Sequence, residues 1–394
     1  MKDLKLDWVV FKAVAPAVRG KPGPAGIPID IQLAGSAKTK EKQTPSFEIE
    51  NAVMSVNETR DRLQQKEVWD AVLRMPINLI RSVKSKQKNE KTAWGIEEVG
   101  ADRSEREGAG VTVAVLDTGI NKDHPAFDGT LIVHRNFCDG EPDTDVDGHG
   151  THCAGTIFGK DVGKTRIGIA RKIDRALIAK VIGENGGASD AIIKAILWAQ
   201  SEGAHVISMS LGMDFPGYVQ RLVQKGLDIP EATSLALAGY TMNLRMFDKL
   251  SRGIAGEGGL YAGSVVTAAA GNESKMPRYT IMVAPPASAE EFVSVAALGR
   301  GKTLADFSNV GAKLAAPGVD ILSASLNGGL ETMSGTSMAT PHVAGVAALW
   351  TGELLAAKKD ASAAKVIEMM KAKATGLQPT ISERDVAWGL VQAP

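Results

Sequence analysis

Cysteine is scarce in this 394-residue chain: Cys138 and Cys153 are its only two. They cannot build the bridge framework that holds small secreted domains together, so the fold must rest on buried apolar surface. No charge of one sign prevails either. Forty-five Lys and Arg balance 45 Asp and Glu, without the basic excess that drives binding to nucleic acid or anionic membrane. Apolar runs such as Val111 to Leu116 fall far short of the roughly 20 residues of a membrane span. The first apolar patch, Trp8 to Phe11, follows acidic residues and closes at Lys12, too short for a secretory h-region of about 7–15 residues. No leader is expected, which leaves a cytoplasmic location or a non-standard export route. What remains is ordinary for a globular protein: 44% apolar and 23% charged residues, with length enough for two to three domains around a large core.

Two textures divide the chain. Residues 1–92 hold a turn cluster (Pro22 to Gly26), an extended candidate (Ile27 to Leu33) and a polar loop (Gly35 to Ser46). A helix is expected from near Asn57, with Trp69, Val72 and Leu73 at helical spacing, ending before Pro76. A strand follows from Ile77 to Val83. The Lys-rich run from Ser82 to Lys91 reads as an exposed linker. From about residue 93 strand alternates with helix. Val111 to Leu116, Ala176 to Ile182, Val206 to Leu211 and Val265 to Ala270 are apolar throughout, as suits strands buried on both faces of a parallel sheet. Between the second and third, Ser189 to Glu202 puts Ile192, Ile193, Ile196 and Leu197 on one helix face before Gly203. The pattern predicts a doubly wound, mostly parallel α/β sheet flanked by helices, preceded by a small α+β amino-terminal domain. Residues 213–262 form an insertion longer than a crossover needs. It has two helix-like segments separated by Pro230 and ends in a Gly-rich run. It is either surface decoration or a lid or exosite over a cleft.

Three segments set a reactive side chain among glycines. Val113 to Ile120 ends a buried strand on Asp117. Asp147 to Thr156 carries His149. Ser334 to Leu349 opens an Ala- and Gly-rich helix near Ser337, with Pro341 expected in its first turn. An aliphatic hydroxyl needs a base of near-neutral pKa, and that base needs an acid to orient it. Asp117, His149 and Ser337 supply these roles, and ligand sites in such sheets lie beyond the strands' carboxyl ends.

The Asp-Thr-Gly, His-Gly-Thr-His and Gly-Thr-Ser-Met-Ala-Thr-Pro-His-Val-Ala-Gly segments, in that order, resemble the subtilisin-like serine proteases over residues 93–394. The resemblance implies a serine endopeptidase working through an acyl-enzyme, with Asn272, in Ala-Ala-Ala-Gly-Asn-Glu, as an oxyanion donor beside the Ser337 amide. It implies that Ser208 to Gly212 pairs with an extended protein or peptide substrate and that Lys180 to Gly183 forms the opposite edge. Ile182, Ser210, Leu211, Gly212, Ala269 and Gly271 would then line the cleft, Met213 would alter the depth of its pocket, and Glu273 at the rim would favour a basic side chain. Cys153 is similar to the free thiol beneath the catalytic His in the proteinase K branch, which implies sensitivity to mercurials. The chemistry needs no cofactor. The family's strong calcium site takes a carboxylate after His-Pro. Here Ala126 follows His124-Pro125, and Lys160 to Arg166 is basic, so that site is expected to be absent, calcium elsewhere staying open.

Weaker signals have plainer readings. Asp143 to Gly148 starts like an EF-hand loop but has Ala154 at the twelfth position, so it reads as a solvated acidic loop. His149, His152 and Cys153 lack metal-ligand spacing, and His342 reads as structural. The amino-terminal region resembles in length a prosegment that lies in its own enzyme's cleft, with self-cleavage expected between about Ser82 and Trp94. A permanent regulatory domain is the alternative. A subtilase-fold transpeptidase, with the insertion shielding the acyl-enzyme, and a non-catalytic peptide-binding scaffold are the rival functions.

Overall fold

The computed structural model describes residues 4–14, 46–65, 68–80, 82–85, 91–184, 186–254 and 263–394. The turn cluster, the Ile27 to Leu33 candidate, nearly all of the polar loop, the middle of the Lys-rich run and most of the Gly-rich run lie outside these residues.

Seven strands form one parallel sheet in the order Leu314–Pro317, Val293–Leu298, Val265–Ala269, Val206–Met209, Thr112–Asp117, Arg175–Lys180, Leu131–Asn136. Successive side chains of a strand point to opposite faces. Accordingly, Val113 and Val115 enter a core with the helices His149–Phe158 and Thr336–Ala356, whereas Ala114 and Leu116 enter another with the helix Ser189–Ser201. Both faces are covered, which is why the strands read as unbroken apolar runs. From Arg175–Lys180 the chain crosses to Val206–Met209 on the other side of Thr112–Asp117. The crevice of the doubly wound sheet therefore opens at the carboxyl end of the strand bearing Asp117.

The amino-terminal unit is an antiparallel sheet in the order Ser46–Met54, Leu6–Val14, Val68–Leu73, with the short helix Val56–Arg62. That helix starts at a capping box: the Glu58 amide donates to Ser55 Oγ (3.3 Å) and the Ser55 amide to Glu58 Oε2 (2.6 Å). The helix expected to run toward Pro76 stops at Arg62, and Val68–Leu73 is a strand. Helical spacing over so few apolar residues coincides with strand alternation, and pairing with Leu6–Val14 decides between them. Trp8, Val9, Val10 and Phe11, the apolar patch near the start, are all buried in the central strand of this sheet.

The insertion folds as two helices, Phe215–Gln224 and Ile229–Ile254. Pro230 does not separate them; it sits in the first turn of the second, where its missing amide costs nothing. Asn243 of the long helix donates to the Leu73 carbonyl (2.7 Å), and Lys249 pairs with Asp70 (2.7 Å). The helix thus packs against the amino-terminal sheet, and its Ala232, Ala236, Met246 and Phe247 share a core with Leu6, Trp8 and Val10. Among the described residues no helix is long and apolar enough to cross a membrane.

Candidate active site

Asp117 ends its strand 1% exposed. Its Oδ1 accepts from His149 Nδ1 (2.8 Å) and from the Thr118 amide (2.8 Å). His149 opens the helix His149–Phe158, and the loop before it is exposed at Asp143, Thr144, Val146 and Asp147, as expected, but turns Asp145 inward. Asp145 is buried and accepts from the amides of Gly148 (2.9 Å) and Thr151 (2.9 Å) and from the hydroxyls of Thr151 (2.6 Å) and Thr118 (2.9 Å). Burial alone would raise the Asp145 carboxyl; these hydrogen bonds outweigh it and hold the pKa below the usual range. A carboxylate at the amino end of a helix satisfies amides that have no intrahelical partner. Asp145 thereby ties the His149 helix to the Asp117 strand. Sequence reasoning missed it because its ligands are local amides and hydroxyls.

The Ser337 hydroxyl projects from the second residue of its helix. Pro341 falls inside that helix, not in its first turn. Lacking an amide, it cannot bond to the Ser337 carbonyl four residues back. That carbonyl instead accepts from Ser210 Oγ (3.0 Å) and the Cys153 thiol (3.5 Å). Cys153 Sγ also lies 3.9 Å from His149 Nδ1, beneath the imidazole as the resemblance implied, and burial raises its pKa. Proline, hydroxyl and thiol together clamp the serine's backbone against the histidine helix.

Burial opposes a charge on His149, but the Asp117 carboxylate outweighs it, and the pKa stands well above the ordinary 6.5. Two other histidines go the opposite way. Burial drives His152, bonded through Nε2 to the Ile321 carbonyl (3.0 Å), down to about 3. It drives His342, bonded through Nδ1 to the Met338 carbonyl (2.8 Å), to about 4. Both stay neutral and structural.

Asn272 is oriented by its neighbour on the serine helix: the amide (2.8 Å) and hydroxyl (2.9 Å) of Thr336 donate to its Oδ1. Its Nδ2 comes so close to Gly335 that a Cβ there would meet it at 2.8 Å. The loop after it is held by buried Asn309, whose Oδ1 accepts the amides of Glu273 (3.1 Å) and Ser274 (3.1 Å). Asn309 Nδ2 donates to the Glu273 carboxylate (2.7 Å), so the acid expected to select a basic side chain is already engaged. Asn309 and Thr336 were not singled out from sequence.

The cleft, about 1380 Å³, is lined by Ile182, Gly212, Met213, Ala269, Gly271 and Asn272 among others. Running through it is the chain's own segment. Pro76–Leu79 pairs antiparallel with Leu211–Met213 on one side and with Gly186–Ala188 on the other. Gly186–Ala188 is thus the edge that pairs directly, and Ile182–Gly183, expected there, lies one strand further out. Met213 stands opposite Ile77, and the Ile80 Cδ1 would lie 3.5 Å from a Cβ on Gly212. Ser337 Oγ lies within hydrogen-bond distance of the Ile80 carbonyl oxygen (3.1 Å) and of that of Ser210 (3.4 Å). His149 Nε2 is buried without a hydrogen-bond partner among the described residues.

The donor atoms of Asp117, His149 and Cys153 lie within 4.8 Å of one another. The 2.8 Å between His149 Nδ1 and Asp117 Oδ1 is a hydrogen bond's length, shorter than the roughly 3.3 Å between two ligands of a tetrahedral zinc with bonds of about 2.0 Å. At the loop where calcium would be sought, protein cations hold the carbonyls. Lys160 Nζ bonds the Asp128 carbonyl, and Arg166 donates to those of Gly168 (3.3 Å) and Ala101 (3.0 Å).

A hydroxyl at a helix start, an imidazole and a buried acid gathered at one crevice define the class of serine endopeptidases, and comparison with known proteins narrows it. Residues 108–389 match the model described as the subtilase family. The Intracellular serine protease of Paenibacillus polymyxa is 36% identical over 68% of this chain and 75% of its own length. Subtilisin-like protease 3 of Pseudogymnoascus destructans is 35% identical over 66% and 56%, and Subtilisin DY of Bacillus licheniformis 33% identical over 72% and 92%. The chain belongs to the subtilase family, as a subtilisin-like serine endopeptidase.

Proposed function

We propose that this protein hydrolyses internal peptide bonds through an acyl-enzyme built on Ser337, and that its first substrate is itself. Ser337 Oγ attacks the carbonyl carbon while His149 Nε2 takes the hydroxyl proton. Asp117 holds the imidazole through Nδ1 and stabilises its charged form. The oxygen that becomes negative is met by donors from Asn272 Nδ2 and the Ser337 amide. The C–N bond then breaks as His149 gives its proton to the leaving amine, and water, activated by the same imidazole, releases the acid. Ile182, Gly212, Ala269 and Gly271 line the cleft, Leu211 pairs with Leu79 along its edge, and Ser210, buried, bonds the Ser337 carbonyl. None of these steps calls on a metal.

One observation carries the reading: the Ile80 carbonyl oxygen lies 3.1 Å from Ser337 Oγ, directly after a strand paired along both edges. That is how a polypeptide substrate would bind, the main-chain ladder giving affinity and alternate side chains filling pockets. The bond so presented follows Ile80, slightly upstream of the range expected from sequence, and residues 1–80 act as a prosegment. The insertion's packing on Val68–Leu73 supports a docking role for it rather than a shield around an acyl-enzyme. A fluorophosphonate probe on the purified protein tests the chemistry: label on Ser337, lost in His149→Ala, is expected. Peptide products should each gain one water; products without it would point to transpeptidation, and an unlabelled Ser337 to a scaffold.

A further inference from the structure

Beyond the serine the same segment makes a second ladder. Val83–Ser85 pairs antiparallel with Leu330–Ser334, in the register Val83 opposite Ser334, Lys84 opposite Met333 and Ser85 opposite Thr332. Residues on diagonal positions of such a ladder share a face and lie within reach of long side chains. Glu331 is diagonal to Lys84, and its Oε2 lies 2.7 Å from Lys84 Nζ. Its side chain is 19% exposed, against 65% for Lys84. The protein therefore offers a fixed, largely buried carboxylate to a basic group that reaches in from solvent. The other oxygen, Oε1, lies beside Gly148, at the amino end of the His149 helix. A second acid continues the pattern: Ser85 Oγ donates to Asp320 Oδ1 (2.7 Å), while the Asp320 amide donates to Ser334 Oγ (2.8 Å).

We infer that Glu331 and Asp320 form an acidic subsite on the leaving-group side of the cleft, selecting substrates with Lys or Arg at the fourth residue beyond the cleaved bond and a hydroxyl or basic residue at the fifth. The inference rests on the reading that Ile80 presents the cleaved carbonyl, which sets the count. The favoured substrate is an extended segment, aliphatic before the bond and basic after it. Strand Leu330–Ser334 carries it by main-chain pairing, and Glu331 confers the selectivity.

The test uses protein purified after expression of the full chain, with three synthetic peptides of the sequence of residues 74–88: one unchanged, one with Lys84→Ala and one with Lys84→Glu. Cleavage after Ile80 is expected in all three. The ratio of kcat/KM between Lys and Ala peptides should be about two- to five-fold, the worth of a half-exposed ion pair. It should widen with the Glu peptide and shrink as salt is raised. In Glu331→Gln the Lys/Ala ratio should fall to about one, and Glu331→Lys should reverse the order of the Lys and Glu peptides. Because each ratio is taken within one enzyme, a lower overall rate in a variant does not disturb it. If a variant fails to fold, the wild-type peptide series and its salt dependence still decide. Equal rates for all three peptides, each cut after Ile80, overturn the subsite and leave the Ser337 reading standing. Cleavage of none, or elsewhere, overturns the Ser337 reading itself and the subsite with it.

Discussion

At the scale of single residues, the site works by assigning opposite environments to similar groups. Of the histidines, His149 is held above its ordinary pKa by Asp117, whereas burial keeps His152 and His342 neutral. Only a neutral imidazole can take the serine proton. Activity should therefore rise with pH through a midpoint above 6.5, measured as kcat/KM on a peptide. Asp117→Asn should move that limb to lower pH and cut kcat by about 10⁴-fold, the loss known for triads of this kind. Stability runs the other way. A raised folded pKa stabilises the fold fully below the unfolded value, and the contribution fades as pH rises through the folded one, so the Asp117–His149 pair holds the fold best where catalysis is weakest. Asn272→Ala should lower kcat by about 10²- to 10³-fold with little change in KM, since its donor matters once charge develops; an equal rise in KM would assign it to ground-state binding. Asp117, His149 and Ser337 stood out in the sequence because each sits in a distinctive Gly and Thr frame, and Asn272 only through the resemblance of its Ala-Gly-Asn segment. Asp145, Asn309 and Thr336 did not, because a residue that acts by bonding backbone amides carries no motif of its own.

Elements were legible where burial on both faces leaves one reading. The runs at Thr112–Asp117, Val206–Met209 and Val265–Ala269 could only be central strands, and the helix at Ser189–Ser201 had a clean apolar stripe. The amino-terminal unit was harder, since three antiparallel strands that share a core with the insertion leave no isolated periodicity. Asp190, in the first turn of the Ser189–Ser201 helix, joins the two parts. Its carboxylate accepts from Arg74 Nε (2.6 Å), Asn51 Nδ2 (2.9 Å) and Lys194 Nζ (3.3 Å). Burial alone would raise its pKa, but Asn51 and Arg74 outweigh that and depress it. A depressed carboxyl contributes above its unfolded pKa and is lost as pH falls through the folded one. Docking of the amino-terminal sheet should accordingly loosen below about pH 4. Asp190→Ala should loosen it at neutral pH as well, seen as faster amide exchange in residues 46–54 and 68–73. Unchanged exchange there would mean that apolar packing on the insertion helix suffices alone.

For the whole molecule, the amino-terminal sheet, the insertion and the strands lining the cleft form a single device. The sheet rests on the long insertion helix, and this anchoring feeds Pro76–Leu79 between two strands so that Ile80 arrives at Ser337 and Val83–Ser85 continues onto the far edge. Sequence pointed to a prosegment by length and linker texture alone. It could not show the register, because pairing with Leu211–Met213 depends on contacts more than a hundred residues away. Amino-terminal sequencing of the purified protein beside its Ser337→Ala variant tests that register. A wild-type fragment beginning at Arg81 is expected, with residues 1–80 kept attached in the variant. An active wild-type chain with the Ile80–Arg81 bond intact, or the same cut in the variant, would contradict it.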